Sequence, residues 1–147
     1  CLRACWPDVG VHPLEPANSP TLRTGRKTGR HRIEGISDEF IPDLVKLSEL
    51  SSIVDVWDGG AIAAARELGH AGLAVGISSG ANFLGADQLL ETLGEGATVV
   101  TVFADSNKKY LSTDLTASVP SEAGMEPCPS EVLSWRAIGC EPCCGRA

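Results

Sequence analysis

An α/β fold, with a mostly parallel sheet and flanking helices, is predicted by three features of this sequence. Apolar, β-rich runs alternate with segments of helical periodicity. One of those runs, residues 97–103, is apolar on both faces. A Gly/Ser cluster, Gly76-Ile77-Ser78-Ser79-Gly80, joins another run directly to a helix start. Alternation of this kind implies right-handed crossovers. A strand without a polar face belongs in the middle of a sheet covered on both sides.

The elements can be taken in chain order. Residues 2–6 read as the last turn of a helix stopped by Pro7, and residues 9–14 as a strand ending at Glu15-Pro16. Residues 17–35 carry three glycines, a proline and many charges and form a long loop, of the kind that is usually functional or mobile. A short helical or irregular apolar segment surrounds Pro42. Residues 53–57 are a strand, and Asp58 is placed to cap a helix in which Ile62, Ala65 and Leu68 recur up to Gly69.

The stretch 72–83 organises the second half of the chain: a strand, a tight turn, then a helix carrying Phe83, Leu84, Ala86, Leu89, Leu90 and Leu93. Ser78 and Ser79 are expected to cap that helix, and its free N–H groups favour an acceptor or an anion. The alternative is a capped turn with no ligand. After Gly94-Glu95-Gly96 comes the strand over 97–103, closed by Asp105-Ser106-Asn107, and a helical turn over 108–113. Ligands of parallel sheets sit beyond the carboxyl ends of the strands. Gly35, Ser78 and Asp105 are therefore expected on one shared edge.

Composition excludes several function classes. A chain of 147 residues, 43% hydrophobic, fits one domain with a real core. No apolar run approaches the roughly 20 residues of a membrane span. With 19 acidic and 12 basic residues the net charge is −7, which argues against broad nucleic-acid binding. The cluster Arg23, Arg26, Lys27, Arg30, His31, Arg32 could hold an anion or form a solvated loop. Cysteines lie only at the two ends, at 1, 5, 128, 140, 143 and 144, so the middle resembles an intracellular, disulfide-free core. The chain begins with Cys1 rather than Met and is expected to be processed or a fragment.

Four motifs occur in one order: His31-Arg32-Ile33-Glu34-Gly35-Ile36, Phe40-Ile41-Pro42, Val75-Gly76-Ile77-Ser78-Ser79-Gly80-Ala81 and Tyr110-Leu111-Ser112-Thr113. Together they resemble the carboxyl-terminal part of cysteine synthase (O-acetylserine sulfhydrylase), from about Leu2 to Leu115. That family has the tryptophan synthase β-like, fold-type II architecture and uses pyridoxal phosphate. By this resemblance Ser78 meets the cofactor's pyridine nitrogen. A neutral hydroxyl there leaves the ring a moderate electron sink, suited to loss of a β-substituent. Gly35 resembles the glycine lining the active-site cleft. Asp105 stands where relatives carry a small polar residue near the pyridine end, or is simply a strand-end turn residue, since Ala104-Asp105-Ser106-Asn107 departs from Pro-Ser-Ser-Gly. His31 and Arg32 read as loop structure.

The resemblance also implies parts that this sequence lacks. The lysines are Lys27, Lys46, Lys108 and Lys109, none in the Ser-x-Lys context of the Schiff-base residue, and no Gly/Thr-rich phosphate loop is present. No catalytic residue is therefore assigned within this chain, and a fragment inactive alone is expected. The expected division is a partial enzyme domain over 1–116 and a Pro/Cys-rich tail over 117–147, with residues 132–138 a short strand or docking arm. Cys140-Glu141-Pro142-Cys143-Cys144, with Cys128, leaves open a metal site, a redox pair or a frayed thiol-bearing terminus; no metal ligand is assigned. The function implied is replacement of the O-acetylserine β-substituent by sulfide to give cysteine. A cystathionine β-synthase-like reaction and a non-catalytic, thiol-bearing fragment are the alternatives. An amino-acid substrate, a homodimer, serine acetyltransferase as partner and a cytoplasmic location go with the first reading.

Overall fold

The computed structural model describes residues 2–37, 39–117 and 134–136. Its framework is α/β: strands β1 (Leu14–Pro16) and β2 (Val54–Val56) pair in parallel, Leu14 opposite Val54 and Pro16 opposite Val56. Short helices α1 (Leu2–Cys5) and α2 (Thr21–Thr24) precede two long ones, α3 (Asp58–His70) and α4 (Ile77–Leu93).

Alternation on β2 buries Val54 and Val56 and leaves Asp55 partly open. On α3 the small residues Ala61, Ala64 and Ala65 are buried with Ile62 and Leu68, at helical spacing. Small side chains let α4 come close. A methyl group on Gly80 would overlap the Ala61 carbonyl and the Ala65 amide, so the two helices touch backbone to backbone there. Farther along α4, Gly85 lies over the Leu14 side chain. The core joins Ile33, Val54, Val56, Ile62, Ile77, Ala81, Tyr110 and Leu115.

Several expectations need correction. The first strand lies at Leu14–Pro16, not over residues 9–14. Upstream of it, Val11 and Pro13 make only scattered backbone bonds, to Ser51 and Val54. The 17–35 loop contains α2, closed by Gly25 at φ +76. Asp58 begins α3 without capping it; its carboxylate is taken by Arg32, Nε–Oδ2 3.0 Å and Nη2–Oδ1 3.2 Å. Arg32 also reaches Asp114 at 3.1 Å, so this part of the basic cluster is knitted into the fold.

The segment 97–103 forms no ladder among the described residues. Val100 is 88% exposed and Val102 65%. A strand needs hydrogen-bonding neighbours whatever its propensity, and here, besides the Ala97 N–H on the Gly94 carbonyl at 3.3 Å, the segment is tied to Asn82 of α4. The Asn82 side chain donates to the Val102 carbonyl at 2.7 Å, and Thr101 donates to the Asn82 carbonyl at 3.4 Å. The strand expected before α4 reduces to one antiparallel bridge, Val75 with Ser106. The readings of Cys128, Cys140, Cys143 and Cys144 fall outside the described residues, as does most of the expected 132–138 arm. Trp135, which is described, donates to the Ala71 carbonyl at 3.0 Å, at the end of α3.

Candidate functional site

The bridge between Val75 and Ser106 brings the residues before α4 against the 104–110 loop. Gly76 N–H donates to the Asp105 carbonyl at 3.2 Å and Asn107 N–H to the Ala74 carbonyl at 3.0 Å. Gly76 must be glycine in this arrangement, because a Cβ would overlap the Asp105 carboxylate and the Tyr110 ring. The carboxylate therefore sits at the amino end of α4, where the helix dipole favours negative charge.

Around it lies a cleft of about 420 Å³. Gly35, Ser78 and Asp105, predicted from sequence to share an edge, all line this cleft. Gly35 holds φ +81, and an added Cβ would meet no atom within 4 Å; the glycine is required by its backbone.

Ser78 and Ser79 do not cap α4. The cap position is Gly76, with no side-chain bond, and both serines lie in the first turn. Their hydroxyls instead donate to one oxygen of Asp105, at 3.3 Å and 3.2 Å. The Tyr110 hydroxyl donates to the other oxygen. Asp105 is thus more than a turn residue: three hydroxyls converge on it. Burial pushes the Tyr110 phenol up to about 12, helped by the Asp105 charge.

Sequence reasoning assigned no site role to Tyr110, Ser79, Asn82 or Lys109. Tyr110, Asn82 and Lys109 line the cleft with Glu34. Tyr110 belonged to the family motif, but its bond to Asp105 closes across a loop, and no periodicity marks such a pair. Lys109 in the wall was legible only as a charge beside a strand end.

The ring end of pyridoxal phosphate fits what this cleft offers: a hydroxyl at Ser78, backbone without a side chain at Gly35, and room between them. A group of His, Cys, Asp or Glu that could hold a metal is absent among the described residues.

Comparison with known proteins agrees with that geometry. The family model described as pyridoxal-phosphate dependent enzyme matches residues 1–105. Cysteine synthase B of Campylobacter jejuni is 40% identical over 109 residues, 74% of this chain and 36% of that protein. A probable cysteine synthase of Bacillus subtilis is 38% identical over 115 residues, 78% of this chain and 37% of that one. Among solved structures, the hydrogen sulfide-producing enzyme of Fusobacterium nucleatum is 56% identical with a TM-score of 0.78. That match covers 82% of this chain and 36% of the other. Cysteine synthase of Entamoeba histolytica gives 30% and 0.74, over 84% and 37%. The chain spans little more than a third of the length of these relatives. By its sequence over most of its length, and by its fold, this chain belongs to the family of pyridoxal-phosphate dependent enzymes.

Proposed function

We propose that this chain supplies the carboxyl-terminal part of a cysteine synthase-like active site, replacing the acetate of O-acetylserine by sulfide to give cysteine. The observation that carries the reading is the single cleft holding Gly35, Ser78 and Asp105 in a chain of this family. When bound, pyridoxal phosphate supplies an electron sink for the substrate's α-carbon. Ser78 meets the ring nitrogen through its hydroxyl. Gly35 keeps the wall clear for the amino-acid substrate, and Asp105 holds Ser78 in place. Asn82 and Lys109 border the same space.

The lysine anchor and the phosphate cradle are not among these residues, so the chain alone is inactive in this reading. Residues 1–116 form the enzyme part and 117–147 a tail without catalytic role. Cysteine biosynthesis in the cytoplasm is the setting. A second copy of the enzyme, and serine acetyltransferase, are the partners that go with it.

One observation favours a second reading. Identity to the sulfide-producing enzyme of Fusobacterium nucleatum is 56%, against 40% to cysteine synthase B. Release of sulfide from cysteine acts at the same β-carbon in the opposite sense, and the same cleft serves it. An O-acetylserine-dependent cystathionine β-synthase of Helicobacter pylori, at 33%, differs again only in the nucleophile its name implies.

The test uses the purified chain with pyridoxal phosphate. Amide signals of Gly35 and Ser78 are expected to move on addition. Borohydride treatment is expected to leave no stoichiometric adduct on any one lysine. Still amides would remove the cleft from the reading. A unique adduct, on Lys109 for example, would give the chain its own anchor and overturn the inactive-fragment reading.

A further inference from the structure

Two opposite charges in the cleft wall have no part in holding the cofactor ring. Glu34 and Lys109 both line the cleft. Glu34 is close enough for its charge to help raise the Tyr110 phenol, which lies in the same wall. Among the described residues neither side chain is bonded to another, and the two do not pair with each other. Asn82 stands one helical turn beyond Ser78, so α4 brings both to one face. Its amide donates one N–H to the Val102 carbonyl, leaving its oxygen and second N–H to bond elsewhere. Leu14 and Ile36 add an apolar patch. An anion, a cation and an amide around about 420 Å³ of space match a group that carries both charges on neighbouring atoms. The ammonium and carboxylate of an α-amino acid are such a group.

We propose that Glu34 and Lys109 hold a second amino acid, its ammonium on Glu34 and its carboxylate on Lys109, and that the side-chain thiol of this amino acid is a nucleophile of the cleft. The inference rests on the reading of the cleft as a β-replacement site and names the class of its acceptor. The donor amino acid does not account for the pair. Pyridoxal phosphate takes up the donor's amine, which leaves no ammonium to meet Glu34. Sulfide does not account for it either: as an anion without a cationic group it would meet Lys109 and be repelled by Glu34. An amino-acid thiol uses both charges, and its methylenes suit Leu14 and Ile36. In the step, the thiol sulfur bonds to the donor's β-carbon and the bond from that carbon to the acetate oxygen breaks. Acetate leaves with the electron pair, and the thiol proton goes to solvent. The product is a thioether joining two amino acids.

The test titrates the whole chain, in reducing buffer with excess pyridoxine phosphate, with L-homocysteine. Pyridoxine phosphate has no aldehyde to react with thiols or lysines. L-homocysteine is expected to move the Glu34 and Lys109 amides. Propane-1-thiol, the same thiol without either charge, is expected to leave them still. Glu34→Gln and Lys109→Gln should each weaken L-homocysteine binding about tenfold, the scale of one charge-assisted hydrogen bond, while pyridoxine phosphate still moves the Gly35 and Ser78 amides. If pyridoxine phosphate moves those two amides but L-homocysteine binds no better than propane-1-thiol, or binds either variant as it binds wild type, the cleft reading survives and this inference is wrong. If pyridoxine phosphate moves neither amide, both are wrong. Should a variant fail to fold, the comparison of the two thiols on the wild-type chain decides by itself.

Discussion

The hydroxyl of Tyr110 donates to the carboxylate of Asp105 across the turn that separates them, and this bond ties the cleft wall to the core. Tyr110 is the only tyrosine in the chain, so tyrosinate absorbance reports it alone. It is expected to titrate near 12, pushed up by burial and then by Asp105. Asp105→Asn should bring it back toward 10.0, part of the way, because burial remains. The folded value lies above the ordinary one. Its contribution to stability is therefore complete below 10.0 and is lost as pH rises through the folded value near 12. Alkaline unfolding that does not track tyrosinate formation would contradict this.

Gly80 is where α3 and α4 meet most closely. Gly80→Ala should destabilise the chain by about 1–3 kcal/mol, as overpacking against backbone does. Gly85→Ala should cost less, since the group it meets is the flexible end of Leu14. Urea midpoints at an unchanged slope would check the order; a larger loss at Gly85 would refute it.

Asp58 predicts an acid sensitivity. Burial works against its charge, but hydrogen bonds from Arg32 outweigh this and hold the carboxyl below its usual range. Its stabilisation is present above the unfolded value of 3.8 and is lost as pH falls through the folded one. Asp58→Asn should cost about 2 kcal/mol at neutral pH, the scale of a hydrogen bond to a charged group. The gap to wild type should narrow in acid, as measured by denaturation at several pH values.

Glu15 behaves in the opposite way. It is buried at 1% exposure on β1, opposite Asp55, with Arg23 shared between them. Burial pushes its carboxyl up, more than the Leu22 amide and Arg23 bring it down. Its contribution is then most favourable below 4.5 and declines as pH rises through the raised folded value. Glu15→Gln keeps an acceptor for the Leu22 N–H, bonded at 2.6 Å. The variant is expected to be more stable than wild type at neutral pH by up to about 1 kcal/mol, within the range of a single hydrogen bond. The difference should vanish below 4.5. A less stable variant at neutral pH would reverse the assignment.

How much of this was legible in the sequence depends on where each residue's partner lies. α3 and α4 were readable because the recurrence of Ile62, Ala65 and Leu68, and the apolar pattern from Phe83 to Leu93, are local signals. β2 was readable from residues 53–57 for the same reason. The segment 97–103 departs from the strand its composition predicts because composition records a liking for neighbours, while its state depends on whether neighbours are there. Ser78 and Ser79 looked like caps since capping is their commonest use at a helix start; their true partner, Asp105, is brought back by the chain. Asp58 departs from the capping role likewise, its partner being Arg32 on a distant loop. The cleft trio was foreseen because strand ends converge in α/β folds, although the bonds among its members were not.

Arg66 of α3 gathers the stretch 114–117 under one guanidinium. It donates to the carbonyls of Leu115 at 3.0 Å and Ala117 at 2.6 Å, and also to that of Asp114. The piece of backbone carrying Tyr110 is therefore clamped to the same helix that packs on α4. That backbone leads back to Tyr110, which lines the cleft. Helix packing and the backbone leading to the cleft thus share one set of hydrogen bonds in this molecule.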